Sequence, residues 1–551
     1  MGLGRAHRGA SKQAAVLESG TTRSMWTTTS EKPPADAVHY ALNMLPLSVS
    51  APNSRWLQRG QFTPAGTGTA AGSAVRAMGQ FSKVDGTEVT WLFSSSSGIW
   101  VYNWGAGTYS NVVTSANFAT AGISLVAATH YWCVFNNTVV FNPNDGSQVP
   151  FTWDGTSGAG SLVELTNAPA AYGKPTAYAA KLFFIKYAVR DTLVWSEEAA
   201  ANTGYEAGGY SNVWKLGQTG TNPLVAIQGT NEALYYFRGQ SIGAIRGQVN
   251  SDFTTTATHD AVSTSTGTLS PNGVAAGNHG LWFLDQWYIP TYLPFGGSPQ
   301  RVMDEQALGL GVNYTAEPFG YDDILRLEPE DPGPMTGQVL IVPVLQWLPY
   351  ETVWFNLPTD IAPNRVCLVV SQDTGKALAW VKPTIHASSA MHSTMAVVKE
   401  LSSGQATVGC ADGVAGRLFL SAPTRAPDKD EAGTAQSTVY RLIGGPMASQ
   451  QAAGMTFDQL AVSCGVKSGT HSLSIATLTS RRSTSALAST AQTVTLPVAS
   501  TGIPLRVTVG LNQNGRWLRP VFTMTSSTAQ EFTIDDWTVW AYPFPAEATF
   551  S

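Results

Sequence analysis

Short apolar runs alternate with polar turns along most of this chain. Trp91 to Phe93, Gly98 to Tyr102, Tyr131 to Phe135 and Thr138 to Phe141 are runs of this kind. Asn-Asn, Ser-Ser-Gly or Asn-Asp-Gly turns separate them, as antiparallel hairpins require. The unit recurs at Leu182 to Ile185 with Thr192 to Trp195, at Ala233 to Phe237 with Ser241 to Ile245, and at Gly280 to Leu284 with Trp287 to Ile289. Starts fall roughly every 40 to 55 residues, the spacing of four-stranded propeller blades. The best helical candidate is Ala35 to Leu45, opened by Pro33-Pro34.

After an irregular insert, Arg301 to Pro334, the strands resume at Val339 to Pro343, Thr352 to Phe355, Arg365 to Val370 and Ala377 to Val381. Thr424 to Thr434 is loop-rich and charged, and reads as a boundary or an exposed loop. From about Thr438 the alternating runs lengthen, as in Leu505 to Val509 and Asp536 to Tyr542, which suits a β-sandwich. The predicted class is all-β: a β-propeller with inserted loops plus a C-terminal β-sandwich-like domain. The boundaries read 1–60 for an N-terminal extension or arm, 61–424 for the propeller and 438–551 for the sandwich.

Composition agrees with many short strands. Of 551 residues 43% are hydrophobic, enough for a large core, while only 13% are charged. The formal net charge of −5 offers no global attraction to nucleic acid, although an acidic wall lets DNA slide past without sticking. Cys133, Cys367, Cys410 and Cys464 form no CxxC pair and read as free, mostly buried thiols. The first ten residues carry basic groups but no apolar run follows, so no signal peptide is expected and synthesis in the cytoplasm is.

Candidate chemistry is sparse. Glu197 and Glu198 follow a strand and point to opposite faces, so they do not line one cleft as a glycosidase pair must. Asp535 and Asp536 fail in the same way. Ser371 to Trp380 approaches the Asp-box turn of sialidase propellers, with its Trp one position late. His386 and His392 lack metal spacing, and Asn142 to Gly146 lacks the closing glutamate of a calcium loop. Gly173-Lys-Pro-Thr176 has proline where a phosphate-binding loop needs a helix start. Trp91, Trp100, Trp132, Trp195 and Trp282 read as core, whereas Trp287 and Trp347 lie beside turns. No catalytic residue, metal site or cofactor is expected, and the chain reads as a non-enzyme.

Several stretches resemble the β-propeller structural proteins of tailed-bacteriophage virions, the tail nozzle or stabilisation family. Ala41 to Pro46 with Arg55 to Phe62 is similar to their opening. Leu182 to Ile185 with Leu193 to Glu197 resembles their recurrent hairpin, and Ile227 to Ile245, Gly280 to Asp285, Val366 to Trp380 and Ala411 to Phe419 extend the likeness. Phe532 to Trp537 echoes it weakly, while the C-terminal sandwich has no close counterpart.

The resemblance implies a virion tail protein. It implies a ring, typically hexameric, that continues the DNA channel below the head–tail connector or adaptor and docks tail fibre proteins. DNA would pass through the lumen without sequence recognition. Alternatives are a glycan-binding or depolymerising propeller that recognises the host surface, and a capsid decoration or fibre protein. The arm, Met1 to about Ser30, is expected to order on a neighbouring subunit. The acidic insert supplies Asp322, Asp323, Glu328 and Glu330 as candidates for the channel wall or a subunit interface.

Overall fold

The computed structural model describes residues 15–19, 38–47, 55–67, 75–125, 131–204, 212–217, 222–247, 257–302 except 288, 340–347, 350–358, 365–383, 385, 392–399, 406–412, 416–422, 427–444 except 431, 455–466, 471–480, 487–488, 492–496, 505–526 except 516, and 531–543. The chain forms two compact units, 60–438 and the combination of 1–59 with 439–551. Both are built from antiparallel strands.

Residues 60–438 fold as a β-propeller of seven blades. The first six follow one another along the chain, and their innermost strands are Val75–Ser82, Tyr131–Phe135, Ala171–Tyr178, Leu224–Gly229, Val274–Ala276 and Leu340–Trp347. The seventh blade begins with His392–Lys399 and continues with Ala406–Asp412 and Leu418–Ser421. Each innermost strand touches the next, and His392–Lys399 returns to Val75–Ser82, so these strands form a closed ring.

The seventh blade takes its outermost strand from the start of the unit. Phe62–Pro64 pairs antiparallel with Leu418–Ser421, placing Phe62 opposite Ser421 and Pro64 opposite Phe419. Thr424 to Thr434, read from sequence as a boundary or exposed loop, is exposed at 432–434, but Pro427 and Asp428 ahead of that tip are buried and clamp the strand. Asp428 and Asp430 are buried. Asp428 accepts a hydrogen bond from the Phe62 backbone N–H (2.8 Å), and the Lys429 N–H donates to the Phe62 carbonyl (2.9 Å). These two carboxylates turn inward because backbone donors need acceptors there, which composition does not reveal.

Aromatic side chains fill the spaces between sheets. Trp91 is fully buried and packs edge-on against Trp132 (5.0 Å between centroids) and Phe141 (5.1 Å). Trp195 stacks on Phe183 at 5.8 Å, and buried Trp282 stacks on Tyr292 at 4.3 Å. Each such ring removes about 150–250 Å² from water, at roughly 25 cal/mol per Å² of apolar area. Trp91, Trp195 and Trp282 are core as expected, whereas Trp100 and Trp132 are only half-buried. Trp287 is exposed in a turn. The strand predicted at Trp287 to Ile289 begins instead at Pro290, because Asp285 accepts from the Trp287 and Ile289 N–H groups and holds the chain in a turn.

The second unit is a β-sandwich. One sheet runs Met44–Pro46, Trp56–Gln58, Phe532–Pro543, Met455–Val466, Leu505–Gly515, and Ala15–Ser19 also pairs with Phe532–Pro543. The other contains Val38–Leu42, Thr438–Gly444, Trp517–Ser526 and His471–Ser480. Phe522 meets Trp537 at 5.5 Å and Tyr440 meets Phe532 at 5.8 Å, joining the two faces. The helix predicted over Ala35 to Leu45 is two strands, Val38–Leu42 and Met44–Pro46, broken at Asn43 with φ of 57°. Val38, Ala41, Leu42, Met44 and Leu45 are all buried, so pairing on the sheet outweighs local helical preference.

Candidate functional site

A pocket of about 510 Å³ opens on the ring of innermost strands. It is lined by Gln80 from the first blade, Trp132 and Cys133 from the second, Lys174 and Thr176 from the third, Gln228 from the fourth, Asn272 ahead of the fifth and Thr394 from the seventh. This is the axial funnel of the propeller, and among the described residues no Asp or Glu lines it.

Local backbone geometry aims Lys174 into the funnel. Gly173 sits in the left-handed region (φ 72°), and the register of Ala171–Tyr178 against Lys181–Lys186 shifts between Tyr172 and Thr176. That irregularity is a β-bulge, which re-aims a side chain where regular alternation would turn it away. The preceding turn braces it. The Asn144 side-chain oxygen accepts from the Gly173 N–H (2.7 Å), and the Asn142 amide donates to the Gly173 carbonyl (2.7 Å). Asn142 to Gly146, considered above as a failed calcium loop, is thus the brace for the lysine.

The Lys174 side chain is half-buried in the funnel, and burial lowers its pKa. Among the described residues the titratable group acting on it is Cys133, whose thiol burial pushes up to about 12 and so keeps neutral. Lys174 has no ion pair or hydrogen bond among the described residues. Nearby, Gln228 donates its amide to the Gly229 carbonyl (2.9 Å), which fixes the amide orientation and leaves its buried side-chain oxygen without a donor. Gln80 is differently employed. It bridges the first and seventh blades, donating to the Lys399 carbonyl (2.9 Å) and accepting from the Lys399 N–H (2.6 Å). Trp132 stands close to the first blade because Gly79 has no side chain: a Cβ there would lie 2.6 Å from the indole.

The other sequence candidates are dispersed. Glu197 accepts from the Asn212 amide (3.1 Å), while Glu198 is exposed in the following turn. Asp535 pairs with Arg55 at 3.6 Å, and Asp536 accepts from Ser463 (2.7 Å). His386, the side chains of His392 and Trp347, and the proposed channel residues Asp322, Asp323, Glu328 and Glu330 lie outside the described residues. The four cysteines are free.

One cluster escaped sequence reading altogether. His279, Glu351 and Asp373 come from turns and a strand of the fifth and sixth blades, with their ligand atoms within 4.8 Å of one another, a set able to hold a metal ion. Glu351 also accepts from the Asn278 amide (2.8 Å), and His279 and Asp373 are exposed. Asp373 occupies the Asp-box-like turn, but His279 is 94 positions earlier, beyond any local motif.

No protein-family model matches the chain, and no curated protein matches it by sequence. Solved structures similar to it include an exo-β-1,3-galactanase from Phanerochaete chrysosporium, 10% identical, covering 76% of this chain and 97% of that one at a TM-score of 0.27. A quinonprotein alcohol dehydrogenase-like protein from Bacteroides thetaiotaomicron is 11% identical, covering 55% of this chain and 65% of that one at 0.28. A prolyl endopeptidase is 10% identical, covering 68% and 54% at 0.31. The chain therefore spans less than two thirds of the latter two. The expectation of a non-enzyme is corrected here: the galactanase and the endopeptidase are enzymes, and the exclusion of catalysis is withdrawn. These likenesses assign no reaction and no substrate.

Proposed function

We propose that this chain is a structural protein of a tailed-phage virion, assembled as a ring around the tail axis. It continues the DNA channel below the head–tail connector and docks fibre proteins. Six copies is the number that the family resemblance suggests.

One observation carries this reading. The stretches that resemble nozzle proteins fall on successive blades in chain order: Lys181–Lys186 and Thr192–Glu197 on the third, Leu224–Gly229 to Ile242–Arg246 on the fourth, Gly280–Leu284 on the fifth, Arg365–Ser371 with Ala377–Val381 on the sixth, and Ala406–Asp412 with Leu418–Ser421 on the seventh. The opening motif, ending at Phe62, leads into the strand that closes the seventh blade. Short motifs of low specificity gain weight when they recur in chain order from one blade to the next of a repeating unit.

Electron microscopy of the purified chain, together with gold-labelled antibody on phage particles, tests the proposal. Rings with an axial pore and label at the tail are expected. A monomer that stays monomeric beside its purified connector, or label confined to capsid or fibre tips, would overturn it.

A further inference from the structure

We infer that the axial funnel is a binding site for a small hydroxylated oxyanion, of the class of a sugar acid or a sugar phosphate. Lys174 places a cationic donor in a pocket of about 510 Å³ with no carboxylate among its described lining residues. An amine partly withdrawn from water without a counter-charge is costly, and an oxyanion in hydrogen-bond reach relieves the cost by a charge-assisted bond. Gln228 presents a buried side-chain oxygen lacking any donor. A hydroxyl beside the oxyanion would supply one. A simple acid such as acetate satisfies Lys174 only, and a neutral sugar satisfies Gln228 only.

The site is built rather than incidental. Lys174 is delivered by a bulge, a left-handed glycine and two asparagine brackets from the neighbouring blade. A lysine serving only to fill space would need none of these. The volume lies within the range of about 300–1,000 Å³ seen for small-ligand sites. This inference is independent of the tail reading, since a chain that forms no ring keeps the same funnel.

Titration calorimetry on the full chain in a weakly coordinating buffer at pH 7 tests it, with glucuronate, glucose 6-phosphate, inorganic phosphate, acetate and glucose as probes. Glucuronate or glucose 6-phosphate should bind with one site per chain, at least tenfold tighter than acetate and glucose. Which of the two binds tighter, and whether inorganic phosphate competes, separates a carboxylate ligand from a phosphate ligand. Lys174→Met should weaken binding at least tenfold. Gln228→Leu should reduce the preference for the hydroxylated probes over acetate. As a readout on the unaltered protein, saturating probe should protect Lys174 from reductive methylation, followed by peptide mass spectrometry. Absence of binding by every anion, unchanged affinity in folded Lys174→Met, or methylation indifferent to the probe would each overturn the inference.

Discussion

The backbone N–H of Phe62 donates to the buried carboxylate of Asp428 at 2.8 Å across 366 residues of chain. Phe62 is itself fully buried and meets Trp354 of the sixth blade edge-on at 6.3 Å. The bond therefore anchors the strand that closes the ring, and it does so where water is absent. Gly60 just ahead allows the close approach: a Cβ there would lie 2.3 Å from the Ala422 carbonyl oxygen.

Asp428→Ala should destabilise the propeller by about 1–3 kcal/mol, the cost of stranding a buried donor. Asp428→Asn, which keeps an acceptor oxygen, should cost less. Urea denaturation followed by tryptophan fluorescence checks both; an alanine variant as stable as the parent would show that the clamp contributes nothing to closure.

The hairpin joining Ala171–Tyr178 to Lys181–Lys186 turns through Ala179 and Ala180, with φ of 52° and 59°. Each alanine held in the left-handed region costs roughly 1–2 kcal/mol. The double substitution Ala179→Asn with Ala180→Gly fits this turn geometry, and should raise stability by about 1 kcal/mol or more. Thermal denaturation of the two proteins side by side decides the point, and a lower midpoint in the double variant would count against the turn as described.

Lys174 gives stability a definite pH dependence. Its pKa is lowered by burial, so the folded state holds that proton less tightly than the unfolded state. The penalty is fully present below the folded pKa and vanishes as pH rises past the unfolded value of about 10.4. Lys174→Met should therefore be more stable than the parent at pH 7 in anion-free buffer, with the difference shrinking toward pH 10. The Cys133 thiol, pushed up to about 12, stays protonated through that range and leaves the comparison clean. A difference constant with pH would show that the amine is solvated.

The same elevated thiol predicts slow chemistry. Because the thiolate is the nucleophile, Cys133 should react with iodoacetamide at pH 8 many times more slowly in the folded chain than in urea, although it lines the funnel. Mass spectrometry of the alkylated peptide reports this directly, and native labelling as fast as denatured labelling would refute the burial of its sulfur.

Short apolar runs separated by polar turns marked many of the strands by themselves. A buried strand is written as a short apolar run bounded by turn residues, so runs such as Thr138 to Phe141 and Ala377 to Val381 were legible without knowledge of their partners, as was the repeat that makes them blades. The buried aromatics Trp91, Trp195 and Trp282 followed from the same pattern. What pairs with what was decided only by the tertiary structure. Val38–Leu42 reads locally as the start of a helix and becomes a strand because residues 441 to 444 lie beside it, some 400 positions away. Phe62–Pro64 closes the seventh blade, and Asp428 turns inward to hold it, for a reason located 366 residues earlier. The funnel follows the same rule. Gly173-Lys-Pro-Thr176 fails as a phosphate loop when read alone, yet a bulge turns its lysine toward an axis that exists only once the innermost strands close into a ring. Local sequence sets which conformations each segment can adopt, whereas long-range pairing and burial select among them, and a site assembled from residues of several blades has no local signature to read.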